Sequence, residues 1–252
     1  MNGGSYDRLG RGYSRVRRPD PRIAARIDAA LGGARTVLNV GAGTGSYEPE
    51  GREVTAVEPS AEMIAQRGSG LAPVVQASAE DLPFANVSFD ASMAVLTAHH
   101  WADLRAGLAE MRRVSRERIV IVTFDPEALA ELWIACDYFP EMLALKRRSG
   151  ATSGELSELL AGATVEPIPV PRDCTDHFFA ALWGRPEKLF DEKIVEPMWV
   201  WQSISAEARM KGRDRLRADL ESGAWEQRYG HLRALHSLDV GLRLVSIPCP
   251  QP

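Results

Sequence analysis

Five short apolar segments, separated by stretches with helical spacing, dominate the first half of the chain. They cover residues 36–40, 53–57, 73–77, 89–96 and 118–124. Near-continuous apolar strands that alternate with helices are typical of a parallel sheet with helices on both faces. The sequence therefore predicts a doubly wound α/β fold with a mostly parallel sheet. A chain of 252 residues, 45% of them apolar, can bury a substantial core in such a fold.

The remaining segments suggest how the chain is organised. Pro167, Pro169 and Pro171 confine the strand-like stretch around them to a sheet edge or its bordering loop, because proline cannot donate to a strand ladder. We expect a basic N-terminal arm with one helix, an α/β core, a helical cap inserted before the last strand, and the closing strand. These four parts are residues 1–35, 36–172, 173–230 and 231–252.

Composition excludes several classes of protein. No run of 18 apolar residues is long enough to span a membrane, and the start of the chain lacks the apolar region of a secretory signal. Cys136, Cys174 and Cys249 are an odd, widely spaced set, so we predict a cytoplasmic protein without a disulfide framework or a metal site. A net charge of −4 disfavours nucleic acid as a partner, although the arm is locally basic. The sequence does not indicate an oligomeric state.

A glycine turn follows the first predicted strand. Gly41, Gly43 and Gly45 alternate with Ala42 and Thr44, which allows a ligand to approach the backbone without meeting a Cβ. The second predicted strand ends in Glu58, at the same sheet edge, where its carboxylate can accept hydrogen bonds from both hydroxyls of a ribose. The alternative is that Glu58 only caps the helix that begins near Ser60. Together the two features predict a site for a nucleoside.

The segment after the turn argues against a dinucleotide. Pro49 and Gly51 interrupt the residues between Thr44 and Arg52, so no more than a turn or two of helix fits before the second strand. A pyrophosphate is normally held at the N-terminus of such a helix. We therefore expect a ligand that has a ribose but no phosphate at this position.

Further motifs accompany the turn and Glu58. These are the segments 77–84 (ASAEDLPF), 88–90 (SFD) and 98–101 (AHHW). In this order, the residues resemble class I S-adenosylmethionine-dependent methyltransferases, specifically the type 11 small-molecule group. The resemblance covers about residues 6–126 well and the C-terminal part only in general layout. It implies a Rossmann-like fold, S-adenosylmethionine as cofactor and a small molecule as methyl acceptor.

The resemblance also implies roles for individual residues. The glycine turn would pass under the methionine and ribose, Glu58 would hold the ribose hydroxyls, and Pro59 and Met63 would pack on the adenine. The segment 78–80 would read the adenine edge, and Leu96 and Thr97 would lie near the reactive methyl. The full set of expected cofactor residues is Tyr13, Asn39, Gly41, Ala42, Gly43, Glu58, Pro59, Met63, Ser78, Ala79, Glu80, Leu96 and Thr97.

Two positions depart from the family pattern. The family usually has an acidic residue at the position of Asn39 and often an aspartate at that of Ser78, and both replacements remove a charge that would strengthen a hydrogen bond. These departures leave open a binding or regulatory protein that retains the cofactor pocket without methylating anything. A nicotinamide-dependent oxidoreductase is a further alternative.

A general base would assist transfer to a hydroxyl or an acidic carbon. His99 and His100 follow the fourth predicted strand, and imidazole titrates close to neutral pH. We predict one of them as a catalytic base; the alternative is that they only order their loop. The aromatic residues of the cap mainly predict core packing, and some of them are expected to line an apolar acceptor pocket between cap and sheet.

Overall fold

A seven-stranded sheet forms the centre of the computed structural model, which describes residues 18–148 and 150–249. Its strand order is β3-β2-β1-β4-β5-β9-β6, and β7 pairs with β8 in a separate ladder. The strands are β1 (Thr36–Val40), β2 (Glu53–Val57), β3 (Val74–Val75), β4 (Phe89–Val95), β5 (Ser115–Phe124), β6 (Thr164–Pro167), β7 (Val170–Pro171), β8 (Ser237–Leu238) and β9 (Leu242–Pro248). Neighbouring pairs from β3 to β5 are parallel, whereas β9 runs antiparallel to both β5 and β6. The predicted mostly parallel α/β fold is confirmed.

Ten α-helices are found within the described residues, with shorter 3₁₀ and π turns between them. The helices are α1 (Pro21–Leu31), α2 (Ala61–Ala65), α3 (Leu104–Val114), α4 (Pro126–Ala130), α5 (Glu141–Arg148), α6 (Ser153–Leu159), α7 (Glu192–Val195), α8 (Trp199–Ser203), α9 (Ala206–Glu221) and α10 (Ala224–Tyr229). None of the described helices is long and apolar enough to cross a bilayer.

The two faces of the sheet bury separate cores. Along β5, Val120 and Val122 belong to the core that also contains the buried residues of α1, while Ile119 and Ile121 belong to the core of α3 and α6. Successive residues of a strand point to opposite faces, so an uninterrupted apolar strand supplies both cores. This explains why β5, the most strongly apolar of the predicted strands, lies in the interior of the sheet.

The helical spacing of Ile23, Ile27 and Leu31 predicts a helix at the end of the N-terminal arm, and α1 forms there. Ile23, Ile27 and Leu31 are its buried residues. The carboxylate of Asp20 accepts a hydrogen bond from the backbone N–H of Arg22 and caps the N-terminus. At the other end, Gly32 has a φ of +57°, a conformation that favours glycine and ends the helix. The basic arm that precedes this helix lies largely outside the described residues.

Two predicted elements are shorter than the sequence suggested. The third strand was expected over residues 73–77, but only Val74 and Val75 pair with β2, because this strand lies at the edge of the sheet and has one neighbour. Thr152 and Glu155 form a capping box that predicts a short helix ending at Gly162, whereas α6 ends at Leu159. Gly162, with a φ of +90°, lies instead in the turn that leads into β6.

The segment between β6 and β9 contains α7 to α10, and we call it the cap. Elements that follow β5 pack against it: Nε1 of Trp133 donates to the backbone oxygen of Trp183 at 2.8 Å, and the hydroxyl of Tyr138 donates to Asp219 at 2.7 Å. The layer over the sheet face that carries Val120 and Val122 is therefore built from two stretches of the chain. One is residues 126–148, which the sequence division placed in the core, and the other lies within residues 173–234.

Candidate active site

The glycine turn and Glu58 lie together at the carboxyl edge of the sheet. Strand β1 leads into Gly41, whose backbone N–H donates to Val57 on the neighbouring strand at 2.8 Å. Because β1 is flanked by β2 on one side and β4 on the other, this edge lies where the strand order reverses, the position at which α/β sheets bind ligands. The sheet topology alone therefore predicts a ligand site at residues 41–45.

The Glu58 carboxylate points into the turn. Its Oε2 accepts the backbone N–H of Gly43 at 2.8 Å, and its Oε1 accepts that of Ser60 at 3.0 Å. Glu58 therefore caps the start of α2, as the alternative interpretation predicts. Its carboxylate also lies against the glycine turn. Burial raises the pKa of Glu58, whereas the two N–H groups and the positive charge of Arg67 oppose that rise.

Gly41 makes a close approach to the end of β4. It has a φ of +70°, and a Cβ at this position would overlap the side chain of Thr97. Gly43 has a φ of +53°, and a Cβ there would lie 3.4 Å from Cε of Met63, which is buried beside it. Both positions require glycine for their backbone conformation, and Gly41 requires it for space as well.

Leu96 precedes Thr97 and has an unusual backbone. Its φ is +55°, although it is not a glycine, and its N–H donates to Val122 at 2.9 Å. Non-glycine residues rarely adopt this conformation, and such residues are often found at functional sites. Leu96 also lines the apolar cavity described below. The adjacent residues Leu96 and Thr97 therefore connect the glycine turn to that cavity.

The structure distributes the other predicted cofactor residues around this edge. Ala42 and Ala79 are buried, Ser78 is half-buried and Pro59 is exposed. The carboxylate of Glu80 accepts the backbone N–H of Ala102 at 2.7 Å in the loop before α3. This carboxylate oxygen is thus engaged in the loop before α3 rather than at the turn. Tyr13 lies outside the described residues.

A partly open cavity of about 80 Å³ lies between the sheet and the cap. The residues that line it come from the end of β4, from β5, from the segment after β5 and from the cap. They are Leu96, His99, His100, Phe124, Leu129, Leu132, Ile134, Ala135, Met142, His177, Phe178, Phe179, Ala180, Met198, Trp199 and Val200. The predicted aromatic pocket between cap and sheet is present.

Both predicted histidines line the cavity. The rings of His99 and His100 have centroids 3.9 Å apart, and Trp199 contacts both, with centroid distances of 6.2 and 5.6 Å. The pair thus forms an aromatic wall with a residue of α8. Trp101 does not join them, because its ring packs against Gly107 of α3.

Comparison with known proteins agrees with this geometry. A family model described as a methyltransferase domain matches residues 38–123. A solved structure from Anabaena variabilis, described as a methyltransferase from an antibiotic biosynthesis pathway, is 30% identical. It covers 92% of this chain and 98% of its own, with a TM-score of 0.84. This chain belongs to the class I S-adenosylmethionine-dependent methyltransferases.

More distant relatives of this methyltransferase share part of the sequence or the fold alone. O-methyltransferase resE of Aspergillus sclerotiorum is 30% identical over 55% of this chain, and the match spans 56% of that relative. The chain therefore covers about half the length of this curated relative. The phosphoethanolamine N-methyltransferase 2 of Haemonchus contortus, solved with S-adenosylmethionine, has a TM-score of 0.53 over 91% of this chain and 52% of its own, at 16% identity.

The residues of this methyltransferase fit the cofactor of its family. Nδ2 of Asn39 is buried and has no hydrogen-bond partner among the described residues, so a donor is available two residues before the turn. The turn itself leaves a space at Gly43 that a side chain would reduce. Residues 41–52 form turns without a helix, so a pyrophosphate would lack a helix N-terminus here. Family membership and this geometry both count against the nicotinamide alternative.

Two residues at this methyltransferase site were not among the predicted ones. His177 lines the cavity, although the sequence gave no metal or acid–base pattern around it. Tyr47 has a φ of +63° in the loop after the glycine turn, and it is buried. The only local signal for His177 was its position beside Phe178 and Phe179, which also line the cavity. Among the described residues, no group of His, Cys, Asp and Glu side chains is arranged to hold a metal ion.

Proposed function

We propose that this methyltransferase transfers a methyl group directly to a small organic molecule held between the sheet and the cap. The observation that carries this proposal is the adjacency of Thr97, which packs on the glycine turn, and Leu96, which lines the apolar cavity. A ligand on the turn and a ligand in the cavity would meet at this pair. A mostly apolar pocket between sheet and cap suits a small molecule better than a macromolecule.

S-adenosylmethionine, when bound, supplies an electrophilic methyl on a sulfonium. The residues that would hold it are Gly41, Ala42 and Gly43 below the methionine and ribose, and Glu58 at the ribose hydroxyls. Met63 and residues 78–80 would surround the adenine. Asn39 would donate to the amino-acid end. These roles rest on the family resemblance and on the positions of the side chains.

Direct transfer requires little from the protein beyond positioning. The acceptor atom must lie in line with the bond that breaks, and holding two reactants in such geometry can supply about 7–11 kcal/mol of the barrier. The rigid contact of Thr97 with Gly41 and the fixed backbone of Leu96 would provide that alignment. The imidazoles at the cavity wall, His99 and His100 beside β4 and His177 in the cap, are the groups that would accept a proton where the acceptor carries one.

Further support comes from the relatives. The Anabaena protein is described as a methyltransferase from an antibiotic biosynthesis pathway, which favours a small acceptor. The Aspergillus relative is named an O-methyltransferase, which favours oxygen as the methylated atom. We also propose that residues 36–172 carry the cofactor site and that residues 173–230 act as the cap over the acceptor.

Calorimetry and product detection test the proposal. Titration with S-adenosylmethionine and with its demethylated product should give binding, and a metabolite panel incubated with methyl-labelled cofactor should give a labelled small-molecule product. Absence of cofactor binding at millimolar concentration would defeat the proposal. Cofactor binding without any labelled product would favour the alternative of a protein that retains the pocket but does not methylate.

A further inference from the structure

His177 enters the acceptor cavity from the cap. It is half-buried, and within the described part of the chain neither a hydrogen bond nor a ring contact engages its imidazole. This differs from His99 and His100, whose rings pack on each other and on Trp199. A half-buried imidazole without a partner, facing an apolar cavity, is available to a bound molecule.

Burial and the charges around His177 together favour the neutral form of its imidazole. Burial lowers its pKa, and the nearby cations Arg185, Lys188 and Arg18 lower it further, while the carboxylate of Asp176 acts in the opposite direction. The Asp176 carboxylate is itself turned toward Tyr47, whose hydroxyl donates to its Oδ2 at 2.8 Å. At neutral pH the ring therefore has a nitrogen lone pair that can accept a proton.

The cavity wall restricts the charge of the acceptor. Among its described residues, the only ionisable side chains are the three imidazoles, and there is no carboxylate, ammonium or guanidinium group. A protonated amine would lose its hydration there without gaining an anionic partner, and a polyanion would lack a cation. The apolar walls instead favour an uncharged molecule with a ring or a hydrocarbon body.

We infer that His177 is the proton acceptor of the reaction and that the methyl acceptor is an uncharged, largely apolar molecule with a weakly acidic hydroxyl, such as a phenol. This inference rests on the proposed function. In the step, the hydroxyl oxygen forms a bond to the methyl carbon, the carbon–sulfur bond breaks, and its electron pair stays on sulfur. The hydroxyl proton moves to the free nitrogen of His177, so no oxidant or reductant is needed.

Substitution of His177 with a matched control provides the test. The variants are His177→Asn and His231→Gln; His231 is exposed near the end of the cap and does not line the cavity. The substrates are a simple phenol, a nitrophenol whose hydroxyl is more acidic, and a benzylamine of similar size. The readouts are labelled methyl transfer as kcat and KM, and cofactor affinity by calorimetry.

We expect His177→Asn to lower kcat with the phenol about a hundredfold to ten-thousandfold, while cofactor affinity and the His231→Gln variant stay at the unmodified level. The nitrophenol should restore part of the lost rate, because its more acidic hydroxyl gives up its proton with less help from a base. This rescue separates a proton acceptor from a residue that only shapes the cavity. The kcat of the unmodified protein should also fall at acidic pH, and the variant should lose that dependence.

Other outcomes overturn the inference. Equal rates with the phenol in the unmodified protein and in His177→Asn would remove the base assignment, and faster methylation of the benzylamine would remove the acceptor class. In both cases the proposed function would stand, because methyl transfer is still observed. If His177→Asn does not fold, isotope-labelled histidine in the unmodified protein gives a second measurement. No change of the His177 resonance on phenol binding would then overturn the inference.

Discussion

The hydroxyl of Tyr47 donates a 2.8 Å hydrogen bond to Oδ2 of Asp176, and both residues are buried. Tyr47 belongs to the loop that continues from the glycine turn, and Asp176 directly precedes His177. The bond therefore joins the two halves of the site, the cofactor side and the acceptor side, through a single pair of side chains.

We expect Tyr47→Phe to lower the free energy of unfolding by about 1–3 kcal/mol, because a buried carboxylate loses a hydrogen-bond donor. The backbone cost of the positive φ at this position is the same for both aromatic residues, so the variant isolates the hydroxyl. Urea unfolding monitored by circular dichroism measures the change. An unaltered midpoint and slope would show that the bond adds nothing to stability.

Glu58→Ala should weaken cofactor binding by about 1–3 kcal/mol, roughly a five- to 150-fold rise in Kd. The reason is that the carboxylate both orders the turn through the N–H of Gly43 and is placed to accept ribose hydroxyls. Glu53→Ala is the matched control, since Glu53 is exposed at the opposite end of the same strand. Calorimetry with the demethylated cofactor measures both variants, and equal affinities would contradict the role of Glu58.

Gly41→Ala should destabilise the fold more than Gly51→Ala. The two glycines have similar φ angles of +70° and +74°, but a Cβ would overlap Thr97 at Gly41 and would meet nothing within 4 Å at Gly51. Gly51→Ala therefore reports the backbone cost alone, about 1–2 kcal/mol, and the excess in Gly41→Ala, about 1–3 kcal/mol, reports the overlap. Chemical unfolding of both variants measures the difference, and equal losses would show that Thr97 moves aside freely.

Because of Asp20, the free energy of unfolding should depend on pH in the acidic range. Burial acts to raise the pKa of its carboxyl, but hydrogen bonds from the Arg22 side chain and from the backbone of Thr175 and Arg22 outweigh it and lower the pKa to about 2. Since the folded pKa lies below the unfolded one, the contribution is complete above about pH 4 and is lost as pH falls toward 2. The loss is on the order of 2 kcal/mol.

Urea unfolding at pH 5 and near pH 3 tests this dependence. Asp20→Asn should be less stable at pH 5 and should reduce the difference between the two pH values. Asp81→Asn, at an exposed position, is the control and should behave as the unmodified protein does. A pH dependence that survives in Asp20→Asn would assign it to other groups.

Much of the fold follows from local sequence patterns. The spacing of Ile23, Ile27 and Leu31 predicted α1, and the prolines around Pro167 predicted an edge strand, which is where β6 lies. These features were predictable because helix and strand periods and proline geometry act over a few residues. The first and last residues of β3 were less predictable, because pairing at a sheet edge depends on a neighbouring strand that the sequence does not identify.

The candidate site was predictable only in part. Strand ends, glycines and an acidic residue near one another in sequence pointed to Gly41, Gly43 and Glu58, and a parallel sheet brings such ends to one edge. His177 could not be placed, because its position depends on how the cap packs against the sheet. The same is true of the contact between Tyr47 and Asp176, which are 129 residues apart and meet through tertiary packing alone.

Strand β9 lies between β5 and β6 and hydrogen-bonds to both. Strand β6 therefore cannot pair in the native order until β9 has been synthesised, and β9 is translated only after the whole cap. Until then, the outer side of β5 is an unpaired, strongly apolar edge on a ribosome-bound chain, which is the kind of surface that aggregates or recruits chaperones. The order of strands thus makes completion of the sheet a late event in biosynthesis.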